Sequence, residues 1–141
     1  MKRNLFLGAT TLFMFLNCGE GRDDDNTQQN TSSQKIIGTW IIQKRESNGT
    51  NVPASASCPN LGSFVFGSDQ KLYENYNSAV NNICVTDTDS YRFTIDENSK
   101  KITTQNSQND VLIYVVSSLS DKELILVNTE GSDITKYTFS K

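Results

Sequence analysis

The sequence predicts an all-β fold, a small eight-stranded antiparallel barrel with up-and-down strand order. From residue 35 onward, short runs rich in apolar residues recur, bounded by Gly, Asn, Asp and Ser. No stretch of that region repeats its apolar residues with a helical period. The connections are mostly short, as antiparallel neighbours allow and parallel ones do not. Eight such strands can close a sheet and remove its edges; an open sheet or a two-sheet sandwich is the alternative.

The predicted strands follow one another along the chain, separated by recognisable turns such as GSDQ, DENSK and TEGSD. The segments SASCPN and NNICVTD, each with one cysteine, are predicted as loops. The eight strands are residues 35–44, 63–67, 71–76, 89–96, 101–105, 111–119, 123–128 and 134–140.

Aromatic residues alternate along several of these strands and are predicted to point into the barrel, because successive strand residues face opposite sides of the sheet. An eight-stranded barrel is just wide enough for its own side chains or for one small ligand. The same residues are therefore candidates for a ligand site or for a filled core. They are Trp40, Phe64, Phe66, Tyr91, Phe93, Tyr137 and Phe139.

Two strands break the alternation, since residues 111–119 and 123–128 are apolar on both faces. A barrel strand needs only one apolar face. Either the loop that carries Cys58 packs over their outer side, or they present an exposed apolar strip to a partner protein.

The first 17 residues have the character of a signal peptide. Lys2 and Arg3 precede an uncharged run over residues 5–16, which is shorter than the ~20 residues that span a bilayer. The residues before Cys18 are Phe15, Leu16 and Asn17, which is a poor site for ordinary signal peptidase. The stretch resembles a lipobox of bacterial prolipoproteins, with departures at Phe15 and Asn17. Cys18 is then the lipidated first residue of the mature chain, and two acyl chains hold it durably to a bilayer.

Residues 18–34 are predicted to be the lipidated cysteine and a flexible acidic tether, because residues 19–34 contain no large apolar side chain. Removing Lys2 and Arg3 from 13 basic and 16 acidic residues leaves a net charge of −5. No basic cluster remains, which argues against a nucleic-acid partner. The expected location is the envelope of a bacterium, with the domain of residues 35–141 anchored to the outer membrane through Cys18.

The two remaining cysteines, Cys58 and Cys84, are predicted to form a structural disulfide, because exported proteins meet an oxidising compartment. A metal or redox pair is the alternative, but there is no C-x-x-C and no histidine.

The segments IIGTWIIQK, YRFTIDENSKKITT and VSSLSDKELILV resemble the short lipocalin-like domains of bacterial lipoproteins. Gly38-Thr39-Trp40 is similar to the Gly-x-Trp signature of lipocalins. The resemblance covers Lys35 to Lys141 and implies a calyx-like barrel able to hold a small apolar ligand. Lipocalins place an arginine of the last strand over the tryptophan, where this chain offers Lys136 and no arginine.

The chain shows no catalytic motif and has no histidine, so no enzyme activity, metal or cofactor is predicted. The sequence therefore predicts a membrane-anchored lipoprotein whose barrel binds a small hydrophobic ligand. The alternative is a structural or protein-interaction lipoprotein with a filled barrel.

Overall fold

The computed structural model describes residues 31–141, which form one short helix and nine strands. The predictions for residues 1–17, for Cys18 and for most of the tether concern residues outside the described part of the chain. Within the described part, no helix is long and apolar enough to cross a membrane. The elements are α1 Ser32–Ile36, β1 Gly38–Ser47, β2 Thr50–Asn51, β3 Gly62–Phe66, β4 Lys71–Val80, β5 Ile83–Asp96, β6 Lys101–Gln105, β7 Val111–Leu119, β8 Glu123–Glu130 and β9 Asp133–Ser140.

The sheet closes on itself because β1 pairs with strands from both ends of the chain. Its first residues pair with β3 and its later residues with β9, and Ile41 pairs with Ser63 on one side and Ser140 on the other. From β3 to β9, each strand pairs with the next one along the chain, and all of these pairs are antiparallel. The two-residue β2 pairs only with the last two residues of β1. The predicted eight-stranded up-and-down barrel is confirmed.

The longest hairpin was not recognised in the sequence. Strand β4 continues to Val80, and β5 begins at Ile83. The two strands are joined by Asn81 and Asn82, whose φ angles are positive at 51° and 61°. Two such residues make the tight turn that favours a hairpin, and asparagine tolerates that conformation. Cys84 therefore lies on a strand, and its assignment to a loop was wrong. Polar residues lie on both faces of this hairpin near its turn, so the sequence there lacks the apolar–polar alternation that predicts a strand.

The disulfide between Cys58 and Cys84 is confirmed, with the two Cα atoms 5.1 Å apart. It ties the loop between β2 and β3 to β5. That loop lies beside β1, where Pro53 and Pro59 line a groove together with Ile41. The loop therefore does not cover β7, whose outward residues Val111, Ile113 and Val115 are 51%, 46% and 41% exposed. The expectation that the Cys58 loop packs over this strip was wrong.

The barrel carries its own core. Aromatic rings from β3, β5 and β9 pack edge-on or tilted, with Phe64 and Phe139 centroids 5.0 Å apart. The buried members of the core cluster come from α1 and from every strand of the barrel except the short β2. The buried cluster is Ile36, Trp40, Ile42, Phe64, Phe66, Leu72, Phe93, Ile102, Tyr114, Leu124, Leu126, Tyr137 and Phe139.

Helix α1 occupies residues 32–36, so the first strand begins at Gly38 and not at residue 35 as predicted. Gly38 has φ +126°, a conformation that favours glycine and separates α1 from β1. Ser33 donates from its backbone N–H and its hydroxyl to Glu97, which fixes the helix to the β5–β6 turn. The helix buries Ile36 beneath Trp40, whose Nε1 donates to the Ile36 carbonyl at 2.6 Å.

A lysine closes this end of the barrel. The Nζ atom of Lys141 lies 4.5 Å from the Trp40 ring centroid and donates to the carbonyls of Lys35 (2.9 Å) and Ile37 (2.7 Å). Lys136, the residue considered from the sequence, points outward, and its Nζ is 3.9 Å from Glu46. Lys141 follows the end of β9, so the alternation of side chains along that strand does not predict that Lys141 contacts Trp40.

We expect Lys141→Met to lower the free energy of unfolding by about 1–2 kcal/mol, because two charge-assisted hydrogen bonds and a cation–π contact are lost while the apolar stem stays. Urea unfolding followed by Trp40 fluorescence measures the change. Lys122→Met is the matched control, since Lys122 is exposed and its hydrogen bonds to Ser120 and Lys141 are made by its backbone, which the substitution keeps. An equal loss in both variants would contradict this role.

Candidate functional site

The barrel is filled at the end next to α1 and hollow at the opposite end. Trp40, Phe66 and Phe139 fill the closed end, whereas the inward residues at the opposite end, which come from β4, β5, β7, β8 and β9, are mostly polar. They surround a cavity of about 240 Å³, here called the cup. The cup is lined by Glu74, Tyr76, Asp89, Tyr91, Leu112, Tyr114, Asn128, Glu130, Asp133, Thr135 and Tyr137.

A buried carboxylate forms the floor of the cup. Glu74 is 1% exposed, because it follows Leu72 at the next inward position of β4 and pairs with Phe64 and Asp89 on the neighbouring strands. Inward placement of an acid in a barrel strand is costly unless it is hydrogen-bonded.

Tyrosine hydroxyls supply those hydrogen bonds. Tyr114 donates to one carboxylate oxygen of Glu74 at 2.7 Å, and Tyr76 donates to the other at 2.9 Å. The hydroxyls of Tyr76 and Tyr137 lie 3.3 Å apart, so Tyr137 can donate to Tyr76 and complete a chain that ends on the carboxylate. Burial raises the pKa of Tyr76, Tyr114 and Tyr137, which keeps all three hydroxyls protonated.

The charge of Glu74 has no counter-charge. Within residues 31–141 no lysine or arginine nitrogen lies within 4 Å of its carboxylate. Burial, aided by repulsion from Asp89 and Glu130, raises the pKa of Glu74 to about 7 against the tyrosine hydrogen bonds, which lower it. Glu74 therefore changes protonation near neutral pH.

The rim of the cup is acidic. Asp89, Glu130 and Asp133 are exposed there, and none forms an ion pair within the described residues. Asp133 accepts a hydrogen bond from Asn48 at 3.0 Å. Arg45 pairs with Tyr137 across β1 and β9, and its buried Nε has no hydrogen-bond partner. Arg45 is not among the residues that line the cup, and every charged side chain in that lining is a carboxylate.

A larger groove of about 470 Å³ lies at the closed end, between α1 and the β3–β4 turn. Its lining, which includes Gln34, Ile37 and Phe93, contains no charged side chain and no ionisable group. Of these two sites, the cup alone is lined by ionisable side chains.

The structure divides the seven aromatic residues named from the sequence. Tyr91 and Tyr137 line the cup. The other five pack in the core, each no more than 4% exposed: Trp40, Phe64, Phe66, Phe93 and Phe139.

Sequence reasoning missed Glu74 and its two tyrosine donors. A signal was present in KLYENY, where alternation places Glu74 inward between Leu72 and Tyr76. An acid at an inward position between two large apolar residues marks a functional candidate more strongly than another aromatic does.

Comparison with known proteins agrees with the geometry. The model of the lipocalin-like domain family matches residues 36–126, and the chain belongs to this family. The solved structure of the bovine lipocalin allergen Bos d 2 superposes with a TM-score of 0.51 at 14% identity, covering 78% of this chain and 75% of that one. A bovine odorant-binding protein, a deswapped triple mutant, gives 0.45 at 14% identity over 76% and 74%. No curated protein sequence matches this chain.

We expect the stability of the protein to fall by about 3 kcal/mol as pH rises from below 4.5 to above 7, on account of Glu74 alone. The folded state binds a proton in this range that the unfolded state has released, so a higher pH favours unfolding. Glu74→Gln should abolish this component, because the amide keeps an acceptor without a charge.

Urea unfolding between pH 4 and 8 measures the difference between wild type and Glu74→Gln. Glu123→Gln is the control, since Glu123 is exposed at the start of β8. If the difference in unfolding free energy between wild type and Glu74→Gln does not change with pH, Glu74 does not lie in a site that disfavours its charge.

Proposed function

We propose that this protein is a non-catalytic, lipid-anchored binding protein whose barrel holds a small molecule in the cup. The observation that carries the proposal is the cup itself, a hollow with a hydrogen-bonded floor in a barrel that is otherwise filled. Ligand sites in proteins are concave, partly apolar and furnished with a few converging polar groups, which describes the cup.

The cup sets the size and polarity of the ligand. Its volume of about 240 Å³ equals roughly eight waters at ~30 Å³ each. Leu112 and the ring of Tyr91 offer apolar contact near the mouth, while Glu74 and Asn128 offer polar contact deeper in. The ligand we propose has a small aromatic or aliphatic body and one polar end. The hydrophobic character predicted from the sequence therefore applies only to the body of the ligand.

The anchoring half of the proposal comes from the sequence. Residues 1–17 are removed as a signal peptide, Cys18 carries the acyl chains, and residues 19–34 connect it to the barrel. The proposed location is the bacterial outer membrane. The exported, oxidising environment is in keeping with the disulfide between Cys58 and Cys84.

A second function, binding of a partner protein, is favoured by the exposed strip of Val111, Ile113 and Val115. Large contiguous apolar patches mark interaction sites, but this strip consists of three side chains on one strand, each about half exposed. The cup has more specific chemistry than the strip, and ligand binding is therefore the first proposal.

We expect a small molecule to accompany the exported chain from Gly19 onward, and native mass spectrometry should detect it. Leu112→Trp should remove the bound mass, because Leu112 points into the cup and the indole would fill it. Ile113→Trp is the matched control, since the neighbouring side chain points outward on the same strand. Equal retention in both variants, or no bound mass in any of the proteins, would refute binding in the cup.

We expect Cys18→Ser to abolish detergent-phase partitioning of the full chain and the mass added by acylation, because the thiol that carries the lipid is gone. The double variant Cys58→Ser/Cys84→Ser tests specificity and should keep both properties. Anchoring through Cys18 would be disproved by a Cys18→Ser product that enters detergent with the mass shift of wild type.

A further inference from the structure

We propose that the cup selects a small organic cation, whose ammonium group pairs with the carboxylate of Glu74 while its body lies among the surrounding tyrosine rings. This inference deepens the proposed function and rests on binding in the cup. Three observations carry it: an uncompensated buried carboxylate, a wall of aromatic rings and the sign of the charges at the mouth.

The carboxylate of Glu74 has acceptor capacity left over. Each of its oxygens receives one tyrosine hydroxyl, at 2.7 and 2.9 Å, although a carboxylate oxygen can accept two hydrogen bonds. Both donors are neutral, so they solvate the charge without cancelling it. An ammonium group supplies N–H donors and the missing positive charge together, and charge-assisted hydrogen bonds are about twice as strong as neutral ones.

Aromatic rings surround the space next to that carboxylate. The ring centroids of Tyr76 and Tyr137 are 6.4 Å apart, as are those of Tyr114 and Tyr137. Tyr91 adds a fourth ring nearer the mouth. Tyrosine faces attract cations within about 6 Å of the centroid, most strongly where water is excluded. The same rings give a flat hydrocarbon body its contact surface.

The charges at the mouth disfavour anionic ligands. Exposed carboxylates alone would identify nothing, but those of Asp89, Glu130 and Asp133 surround the entrance to a buried acid and repel anions. Within residues 31–141 no group of three acidic or cysteine side chains is arranged to hold a metal ion. A neutral ligand would leave the charge of Glu74 unpaired.

Binding of a cation is then linked to the protonation of Glu74. The ionised carboxylate binds the ammonium, and a proton competes for the same site, so affinity should rise with pH until Glu74 is fully ionised. The charged and titratable groups that face this site come from six strands: Arg45 on β1, Tyr76 on β4, Asp89 and Tyr91 on β5, Tyr114 on β7, Glu130 on β8, and Asp133 and Tyr137 on β9.

Three probes of nearly one shape test the proposal: benzylamine, benzyl alcohol and benzoate, titrated by calorimetry and by NMR into the exported chain from Gly19 onward. At pH 8 we expect benzylamine to bind roughly tenfold or more tightly than benzyl alcohol, the difference that one charged hydrogen bond makes. Benzoate should not bind. Benzylamine should bind about tenfold more weakly at pH 6 than at pH 8, since the pKa of Glu74 is about 7.

Glu74→Gln should remove the preference for benzylamine over benzyl alcohol, whereas Glu123→Gln, on the exposed start of β8, should keep the preference of wild type. Tyr114→Phe supports the assignment independently: losing one donor raises the pKa of Glu74, so the pH midpoint of benzylamine binding should move upward. This variant keeps the test decisive if Glu74→Gln does not fold.

Failure of the cation inference and failure of the proposed function would give different results. Equal affinities for benzylamine and benzyl alcohol in wild type, or an amine preference that survives in Glu74→Gln, would overturn the cation inference and leave the cup as a site for neutral molecules. Absence of binding by all three probes at millimolar concentration, with no co-purified mass in wild type, would overturn the proposed function as well.

Discussion

Closure of the sheet by β1 is the constraint on which the rest of the structure depends. This strand pairs with β3 up to Ile41 and with β9 from Ile41 onward, and the register shifts between Ile42 and Lys44. A bulge of this kind bends a strand and increases its twist, which a single strand needs in order to complete both edges of a barrel. Once β1 completes the circle, the inward side of every strand faces one narrow interior, and the residues at those positions decide what that interior can hold.

The interior changes from apolar to polar along the barrel axis. Aromatic packing next to α1 buries Trp40 under Lys141 and fills the interior of the barrel around that ring. At the opposite end the rings carry hydroxyls, and those hydroxyls make a buried carboxylate tolerable by donating to it. Stability is thus concentrated in one half of the barrel, and a polar, charged site occupies the other. The raised pKa of Glu74 is the physical sign that burial in this site disfavours the charged form of the carboxyl group.

Sequence patterning predicted the barrel and much of its strand order, because alternation and turn residues are local signals. Residues 101–105 and 111–119 were assigned with the bounds that the structure shows for β6 and β7. Such local signals did not predict side-chain contacts between residues that are far apart in the sequence. Lys141 reaches Trp40 only because β9 ends beside α1, and Glu74 meets Tyr114 only across the closed barrel. The β4–β5 ribbon was missed because it projects beyond the barrel and buries neither face.

Both ends of the described chain meet at the closed end of the barrel, where the Lys141 ammonium contacts the carbonyls of Lys35 and Ile37. Whatever precedes residue 31 is consequently joined to the molecule on the side opposite the mouth. A support attached through that segment, whether a bilayer or the gold film of a sensor, would therefore be joined to the face of the barrel that lies away from the opening. A fusion that follows Lys141 would be joined to the same face.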